Sequence, residues 1–216
     1  MAHTHRHFVP AAGADWLLPF YDPLTRLLGT GAALARLIEQ AELEAGQRVL
    51  DLGCGTGAGT LTAKRAQPGI EIVGLDPDEK ALARARGKAE RERLAIRFEQ
   101  GFGDALPFGD ASFDRVISSF MFHHLESEQK PGVLRELRRV LRPGGRLHLL
   151  DFGGAGHGLG AFLARLVHRE ESLNANTKDG LTALMREAGF DQAEEVEQRS
   201  SFFGGLIYYR ARRPTE

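Results

Sequence analysis

Residues 49–57 read VLDLGCGTG, an apolar strand pattern that runs directly into a turn containing three glycines. Glycine allows a sharp turn and a close approach of the backbone to a ligand, where any side chain would collide. The next strand pattern ends at Asp76, at about the separation from the glycines expected of an acid that binds a ribose. Asp51, near the end of the first strand, adds a second carboxylate. The sequence therefore predicts a nucleoside-binding crevice.

Strand and helix patterns alternate along the rest of the chain. Apolar runs predict seven strands, near residues 47–52, 70–75, 95–100, 113–119, 146–151, 191–199 and 202–211. Helical spacing predicts helices near residues 58–66, 78–93, 127–141 and 178–188. The Pro-Gly-Gly sequence at 143–145 is expected to end the third of these helices and turn into the fifth strand. Such alternation is typical of a parallel sheet with helices on both faces and right-handed crossovers.

Two further helical patterns precede the glycine turn, with interruptions near residues 19–23 and 29–31. Aromatic residues are frequent in this region, and we expect it to cover the ligand crevice as a lid. The predicted division is therefore a tail and helical lid at residues 1–44, followed by the ligand-binding domain at residues 45–216.

The composition favours one domain without a large charged interface. Of 216 residues, 42% are hydrophobic, which is enough for one sizeable core. The 28 basic and 29 acidic residues nearly cancel, so no nucleic-acid partner is expected. A single cysteine excludes an intramolecular disulfide, and no apolar run has the length of a signal or transmembrane segment. We expect a cytoplasmic protein without stable membrane insertion, and no pattern indicates its oligomeric state.

The glycine spacing alone also fits a second class of ligand. Gly53, Gly55 and Ala58 match the G-x-G-x-x-A pattern with which nicotinamide enzymes bind a pyrophosphate. Asp51 would repel a pyrophosphate but suits a cationic amino group, and Asp104, which we expect at the end of the third strand, supplies an acceptor for an exocyclic amine. A chain of this length also leaves little room for a separate dehydrogenase substrate domain. A nicotinamide oxidoreductase is therefore the weaker interpretation.

Four segments, in this order, resemble the class I S-adenosylmethionine-dependent methyltransferases. They are VLDLGCGTG at 49–57, GLDPD at 74–78, GDALPF at 103–108, and FDRVISSFMFHHL at 113–125 leading into LRPGGRLHLLDF at 141–152. The portion from 103 to 152 is most similar to the group that includes quinone-biosynthesis and amine methyltransferases. The resemblance implies an α/β fold with a doubly wound, seven-stranded mixed sheet. Its last two strands would form an antiparallel hairpin at the sheet edge.

The same resemblance implies the cofactor S-adenosyl-L-methionine, which is released as S-adenosylhomocysteine. Asp51 would bind the cationic amino group of the cofactor, Asp76 the ribose hydroxyls, and Asp104 with the amide of Ala105 the adenine. The turn and the end of the fourth strand would line the remainder of the site: Gly53, Cys54, Gly55, Thr56, Gly57, Pro77, Ser119 and Phe120. The alternatives are a turn-forming Asp51, a helix N-cap at Asp76 and an ordinary loop residue at Asp104.

Three residues are candidates for a catalytic role. His123 and His124 follow the fourth strand, close to the expected methyl group, and one of them would orient the acceptor or remove its proton. The alternative is that one packs under the following helix and hydrogen-bonds a carbonyl. Tyr21 would close over the cofactor, as a lid tyrosine does in many small-molecule members of the family, or serve as a buried anchor. No residue cluster has the spacing of a metal site.

The expected function is transfer of a methyl group to an N, O or C atom of a small-molecule acceptor by in-line displacement. A nucleic-acid acceptor is disfavoured because residues 118–121 read SSFM, not the Asn-Pro-Pro-Tyr type that methylates flipped base amines. The alternative function is a catalytically silent protein of the same fold that binds S-adenosylmethionine as a regulator or partner subunit. Turnover of an acceptor distinguishes these two possibilities.

Overall fold

The computed structural model describes residues 30–153, 180–201 and 204–216, and its elements follow the predicted order. The helices are α1 (Thr30–Ala41), α2 (Ala58–Ala66), α3 (Glu79–Arg91), α4 (Lys130–Val140) and α5 (Gly180–Glu187), with a 3₁₀ turn at Phe122–His124. The strands are β1 (Arg48–Leu52), β2 (Glu71–Asp76), β3 (Arg97–Gln100), β4 (Phe113–Ser119), β5 (Leu141–Gly153), β6 (Asp191–Ser201) and β7 (Gly204–Arg212). The earlier of the two predicted N-terminal helices and Tyr21 lie outside the described residues.

The start of β5 differs most from the prediction. The strand begins at Leu141, not near residue 146, because Leu141 already pairs with Phe113 of β4. Regular pairing resumes at Arg115 and Arg146, so the four residues between Leu141 and Arg146 bulge out of the ladder. Proline has no backbone N–H to donate, which explains why the Pro-Gly-Gly segment interrupts the pairing instead of preceding the strand.

The seven strands form one sheet in the order β3–β2–β1–β4–β5–β7–β6. Strands β1 to β5 are parallel, whereas β7 is antiparallel to both β5 and β6, which confirms the mixed sheet with a hairpin edge. From β1 the chain continues to β2 and β3 on one side and then crosses to β4 on the other side. The carboxyl ends of β1 and β4 therefore form the topological switch point, where sheets of this type bind ligands.

Helices cover both faces of the sheet. On one face, α4 buries Leu134 and Leu137 and α5 buries Leu181 and Met185 in a core shared with β4, β5 and β7. On the other face, α1 contributes to a second core, whose members include Leu37, Ile38, Ala41, Val49, Ile117 and Leu150. The spacing of the buried α1 residues is that of one helical face, which explains why this segment is a helix. Within the described ranges, no helix has both the length and the apolar character needed to cross a membrane.

His148 is a buried basic group in the middle of β5, only 1% exposed. Its Nε2 atom has no hydrogen-bond partner among the described residues. Burial, followed by the positive charges of Arg115, Arg210 and Arg146, lowers the pKa of His148 to about 3. In an unfolded chain the same imidazole titrates near pH 6.5. The folded protein therefore requires a neutral ring over a pH range in which the unfolded chain takes up a proton.

We predict that replacing His148 with leucine reduces the loss of stability in acid. Between about pH 6.5 and pH 3, only the unfolded wild type binds a proton at this position. The free energy of unfolding of the wild type should thus fall by up to about 1.4 kcal/mol per pH unit more than that of His148→Leu. Urea denaturation between about pH 4 and pH 7.5 measures the difference. Equal slopes in the two proteins would show that folded His148 accepts a proton readily.

Candidate functional site

The glycine turn after β1 packs between the ends of β2 and β4. The amides of Gly53 and Cys54 both donate to the carbonyl oxygen of Leu75, at 2.8 and 3.1 Å. Gly53 has a φ of 70°, and a Cβ atom at this position would lie 2.4 Å from Cγ of Met121. A side chain is therefore excluded both by the left-handed backbone and by the loop after β4. The turn brings the ends of three strands to one crevice.

The carboxylate of Asp51 lies beneath this turn and is 1% exposed. The hydroxyl of Thr60 donates a hydrogen bond to its Oδ2 atom at 2.6 Å. Burial raises the pKa of Asp51 to about 7; the hydrogen bonds from Thr60 oppose this shift and the charge of Asp76 adds to it. No lysine or arginine among the described residues compensates the Asp51 charge. A buried carboxylate of this kind is costly when ionised, and a cationic group of a ligand would relieve that cost.

Asp76 ends β2 and is also buried, with 8% exposure. Its Oδ2 atom accepts the amide of Gly55 at 2.8 Å, and its Oδ1 atom accepts the amide of Asp78 at 2.9 Å. The N-cap role considered for Asp76 belongs instead to Asp78, whose Oδ1 accepts the amides of Lys80 and Ala81 in the first turn of α3. Since each carboxylate oxygen has two lone pairs, Asp76 retains acceptor capacity for ligand hydroxyls.

The other predicted residues of the turn are packed into the protein. Cys54 is buried, and burial, followed by the charges of Asp51 and Asp76, raises the pKa of its thiol well above the ordinary value. Cys54 is therefore a packing residue and not an activated nucleophile. The backbone carbonyl of Thr56 accepts a hydrogen bond from Nζ of Lys88 at 2.9 Å, and the amide of Gly57 donates to the carbonyl of Cys54 at 2.8 Å, so the turn is held at both ends.

Asp104 and Ala105 are exposed and lie in the loop between β3 and β4. The expectation that Asp104 ends the third strand is wrong, because β3 already ends at Gln100. The side chain of Gln100 donates to the carbonyl of Pro77 at 3.0 Å and joins the ends of β3 and β2. Asp104 thus belongs to an exposed loop, whereas Asp51 and Asp76 belong to strands.

The residue that follows the fourth strand, Phe120, has a left-handed backbone with a φ of 55°. For a residue with a side chain this conformation costs of order 1–3 kcal/mol, and such strain concentrates at functional sites. The Phe120 amide remains bonded to the carbonyl of Leu150 at 2.8 Å, and its ring lies 5.1 Å from that of Phe152. Ser119 precedes it; a Cβ atom at Gly59 of α2 would lie 3.6 Å from its Oγ atom. The ends of β4 and β5 thus carry an aromatic pair beside the glycine turn.

His123 forms a buried pair with Asp151, at the end of β5. Its Nδ1 atom lies 2.6 Å from Oδ1 of Asp151, and its backbone amide donates to Oδ2 at 2.9 Å. The two side chains are 3% and 1% exposed. Burial alone would raise the pKa of Asp151, but the interactions with His123 and the Phe152 amide outweigh it and lower the pKa. His123 is therefore paired with a carboxylate, where the sequence suggested a carbonyl. The ring of His124 lies 3.9 Å from the ring of His123.

Two further polar groups lie near Asp151 on the same face of the sheet. Lys130, the first residue of α4, is 1% exposed; burial lowers its pKa and the Asp151 charge opposes the shift. The buried hydroxyl of Tyr209 has its pKa raised by burial and then by the charges of Glu195 and Asp151. Asp151 is thus the negative centre of a buried polar cluster.

Sequence reasoning did not assign Thr60, Asp151 or Phe152 to the site. Asp151 carried a usable signal, since it is an acid at the end of a predicted strand, as Asp76 is. Thr60 and Phe152 carried none, because their relevance depends on contacts between separate elements. Tyr21 lies outside the described residues, so its predicted role stays a prediction.

Comparison with known proteins identifies the family. A family model described as a methyltransferase domain matches residues 49–145. The demethylmenaquinone methyltransferase of Deinococcus radiodurans is 41% identical over 208 residues, covering 90% of this chain and 84% of that protein. A protein of the same name from Thermotoga maritima is 32% identical over 90% of this chain and 94% of its own length. The chain belongs to the S-adenosylmethionine-dependent methyltransferases.

Other similarities to this methyltransferase are partial or concern the fold alone. The demethylmenaquinone methyltransferase of Thermus thermophilus is 45% identical over 139 residues, which span 63% of this chain and 62% of that protein. A solved structure of a putative methyltransferase from Bacillus halodurans has a TM-score of 0.71 at 22% identity, covering 85% of this chain and all of the other. The YcgJ protein of Bacillus subtilis has a TM-score of 0.71 at 21% identity, covering 85% of this chain and 98% of the other.

The described residues of the methyltransferase fit S-adenosylmethionine. The buried, uncompensated Asp51 suits the ammonium group of its methionine part, and Asp76 has acceptor capacity suited to ribose hydroxyls. The left-handed Gly53 keeps side chains out of the turn between them. Carboxyl groups at both positions suit a cationic sulfonium ligand and would disfavour a pyrophosphate.

We predict that replacing Asp151 with asparagine lowers the free energy of unfolding of the methyltransferase by about 2 kcal/mol or more, because buried His123 loses its ionised partner. Since the pKa of Asp151 is lowered on folding, this contribution should be complete above about pH 4 and fade in stronger acid. The matched control is Asp110→Asn, which removes an exposed carboxylate and should cost less than about 1 kcal/mol. Similar losses in both variants, measured by urea denaturation, would contradict the prediction.

Proposed function

We propose that this methyltransferase transfers a methyl group to a small, planar aromatic acceptor of the quinol or phenol kind. The observation that carries the proposal is the buried His123–Asp151 pair beside the Phe120 and Phe152 rings, at the carboxyl ends of β4 and β5. The His123 ring lies 5.0 Å from that of Phe152. A base beside aromatic rings suits an acceptor that is flat and has to lose a proton.

The donor half of the proposed site lies at the ends of β1 and β2. Asp51 binds the ammonium group, both oxygens of Asp76 bind the ribose hydroxyls, and the loop at Asp104 and Ala105 contacts the adenine. When bound, S-adenosylmethionine supplies a methyl group that is already activated by the sulfonium. The residues around Ser119 therefore have to align the acceptor with that methyl group and exclude water.

The acceptor half of the proposed site contains His123 and Asp151. The pKa of Asp151 is lowered, so its carboxylate is ionised and accepts a hydrogen bond from the Nδ1–H of His123. In this tautomer the ring lone pair is on Nε2, which is the atom that takes up the acceptor proton. For an oxygen acceptor, the new C–O bond replaces the S–CH₃ bond and the hydroxyl proton goes to His123. For a ring carbon, a C–C bond forms and the same base removes the ring proton.

The names of the relatives support an acceptor of this class. The proteins from Deinococcus radiodurans and Thermotoga maritima align with 90% of this chain and are both named demethylmenaquinone methyltransferase. A third relative, from Amycolatopsis mediterranei, is 36% identical over 170 residues and is named 27-O-demethylrifamycin SV methyltransferase. A demethylmenaquinone is a naphthoquinone, and its reduced form is a planar ring that carries hydroxyl groups. We therefore propose a reduced naphthoquinone as the first acceptor to test.

We predict that Asp76→Asn weakens the binding of S-adenosylhomocysteine by at least about tenfold. The substitution replaces one carboxylate oxygen with an NH₂ group. This group is a donor and faces another donor, either a ribose hydroxyl or the amide of Gly55 or Asp78. Titration calorimetry measures the dissociation constant, with NAD as the control ligand. Glu79→Gln, which removes an exposed charge at the start of the adjacent helix, is the matched control and should bind as the wild type does. Equal affinity of Asp76→Asn and the wild type would place the nucleoside elsewhere.

We predict that His123→Asn lowers kcat for a reduced, demethylated naphthoquinone by about 100-fold, because the acceptor loses its base. The affinity for S-adenosylhomocysteine should change by less than about threefold, since His123 lies on the acceptor side. His124→Asn is the matched control, with less than about tenfold loss. Anaerobic turnover with mass detection of the methylated product provides the measurement. Undiminished kcat in His123→Asn would exclude the proposed base, and wild-type binding without any turnover would favour the catalytically silent alternative.

A further inference from the structure

The first turn of α2 is directed at the carboxylate of Asp51. Thr60, the third residue of this helix, is fully buried, and its Oγ1 atom lies 2.6 Å from Oδ2 of Asp51. We propose that Thr60 is a positioning residue for the methyl donor: its hydroxyl holds Oδ2 of Asp51 and stabilises the ionised carboxylate that binds the donor ammonium. The inference rests on the proposed donor site and assigns to it a residue outside the glycine turn.

The helix is built to approach this acid closely. Gly57, at the N-cap of α2, has no side chain, so the first amides of the helix have no side-chain acceptor from the cap residue. The Thr60 amide instead acts on Asp51 and lowers its pKa together with the hydroxyl. A Cβ atom at Gly59 would lie only 3.1 Å from Oδ2 of Asp51, so the absence of a side chain there permits the contact. The carboxyl group of Asp51 therefore lies at the N-terminus of α2, where the helix dipole favours a negative charge.

The direction of the Thr60 hydroxyl differs from that of its neighbour in the same helix. A helical threonine commonly donates to the carbonyl four residues earlier, and Thr62 does so to Ala58 at 2.8 Å. Thr60 donates to Asp51 instead. Thr62 is therefore a matched control, with the same residue type in the same helix and no contact with the carboxylate.

The charged surroundings of Asp51 make this hydrogen bond consequential. Burial raises the pKa of Asp51, the hydroxyl of Thr60 lowers it, and the charge of Asp76, from β2, raises it again. The neighbouring Cys54 thiol, in the glycine turn, has a raised pKa and carries no compensating charge. Near neutral pH, binding of the donor ammonium then releases the remaining carboxyl proton to solvent. Donor affinity should fall about tenfold per pH unit below pH 7.

The test compares the wild type, Thr60→Val, Thr60→Ser and Thr62→Val by titration calorimetry with S-adenosylhomocysteine between about pH 5.5 and 8.5. Valine keeps the shape of threonine and removes the hydroxyl, so the midpoint of affinity against pH should rise by about one unit. The loss should reach about tenfold at pH 6 and be small at pH 8.5. Serine should restore the wild-type midpoint, Thr62→Val should retain it, and Asp51→Asn should remove the dependence on pH. Circular dichroism verifies that each variant is folded.

Three results would overturn the inference. A Thr60→Val curve parallel to that of the wild type would assign the residue a structural role only. An unchanged pH profile in Asp51→Asn would assign the titration to another group, such as Asp76. Failure of the wild type to bind S-adenosylhomocysteine at any pH would reject the donor site itself. This last result is distinguishable from the first two, in which the wild type binds.

Discussion

Buried carboxylates at the ends of three parallel strands govern the conformation of this methyltransferase at its crevice. Asp76 of β2 accepts the amide of Gly55, in the turn after β1, and Asp151 of β5 accepts the amide of His123, in the turn after β4. The turn after β1 is thus bonded to the acid at the end of β2, and the turn after β4 is bonded to the acid at the end of β5. Because a buried carboxylate without donors is costly, these acids determine where the loop amides must lie.

The order of the sheet makes this arrangement possible. Only at a switch point do two adjacent strands send their chains to opposite sides, so that a crevice opens between their ends. Here the β1 turn is bonded to the end of β2 while the β4 turn is bonded to the end of β5, and Asp51 and Ser119 both lie close to Gly59 of α2. The cores beneath are apolar on both faces of the sheet, which keeps the strands fixed while the loops carry the polar groups.

The elements and their order could be predicted because apolar periodicity and glycine punctuation are local signals. The acids at the ends of β1 and β2 could be predicted for the same reason. The partner of His123 could not, because Asp151 is 28 residues away and the pairing depends on the neighbouring position of β4 and β5. Asp104 was misplaced because it lies in the loop beyond Gln100, where β3 ends, and a strand pattern does not define the path of the loop that follows it. The hydroxyl of Thr60 was overlooked since helical threonines ordinarily bond within their own helix.

Asp51 and Asp151 are equally buried but their pKa values shift in opposite directions. Asp151 is surrounded by internal donors, namely His123 and the amide of Phe152, and stays ionised without help from any ligand. Asp51 receives hydrogen bonds only from Thr60 and faces a second acid, so its negative charge is incompletely stabilised by the described residues. A protein with no cation to bind would gain stability from a neutral side chain at Asp51, but not at Asp151. The contrast divides the strand ends into a half with an uncompensated carboxyl group, which suits a cationic ligand, and a half whose carboxylate is already paired with His123.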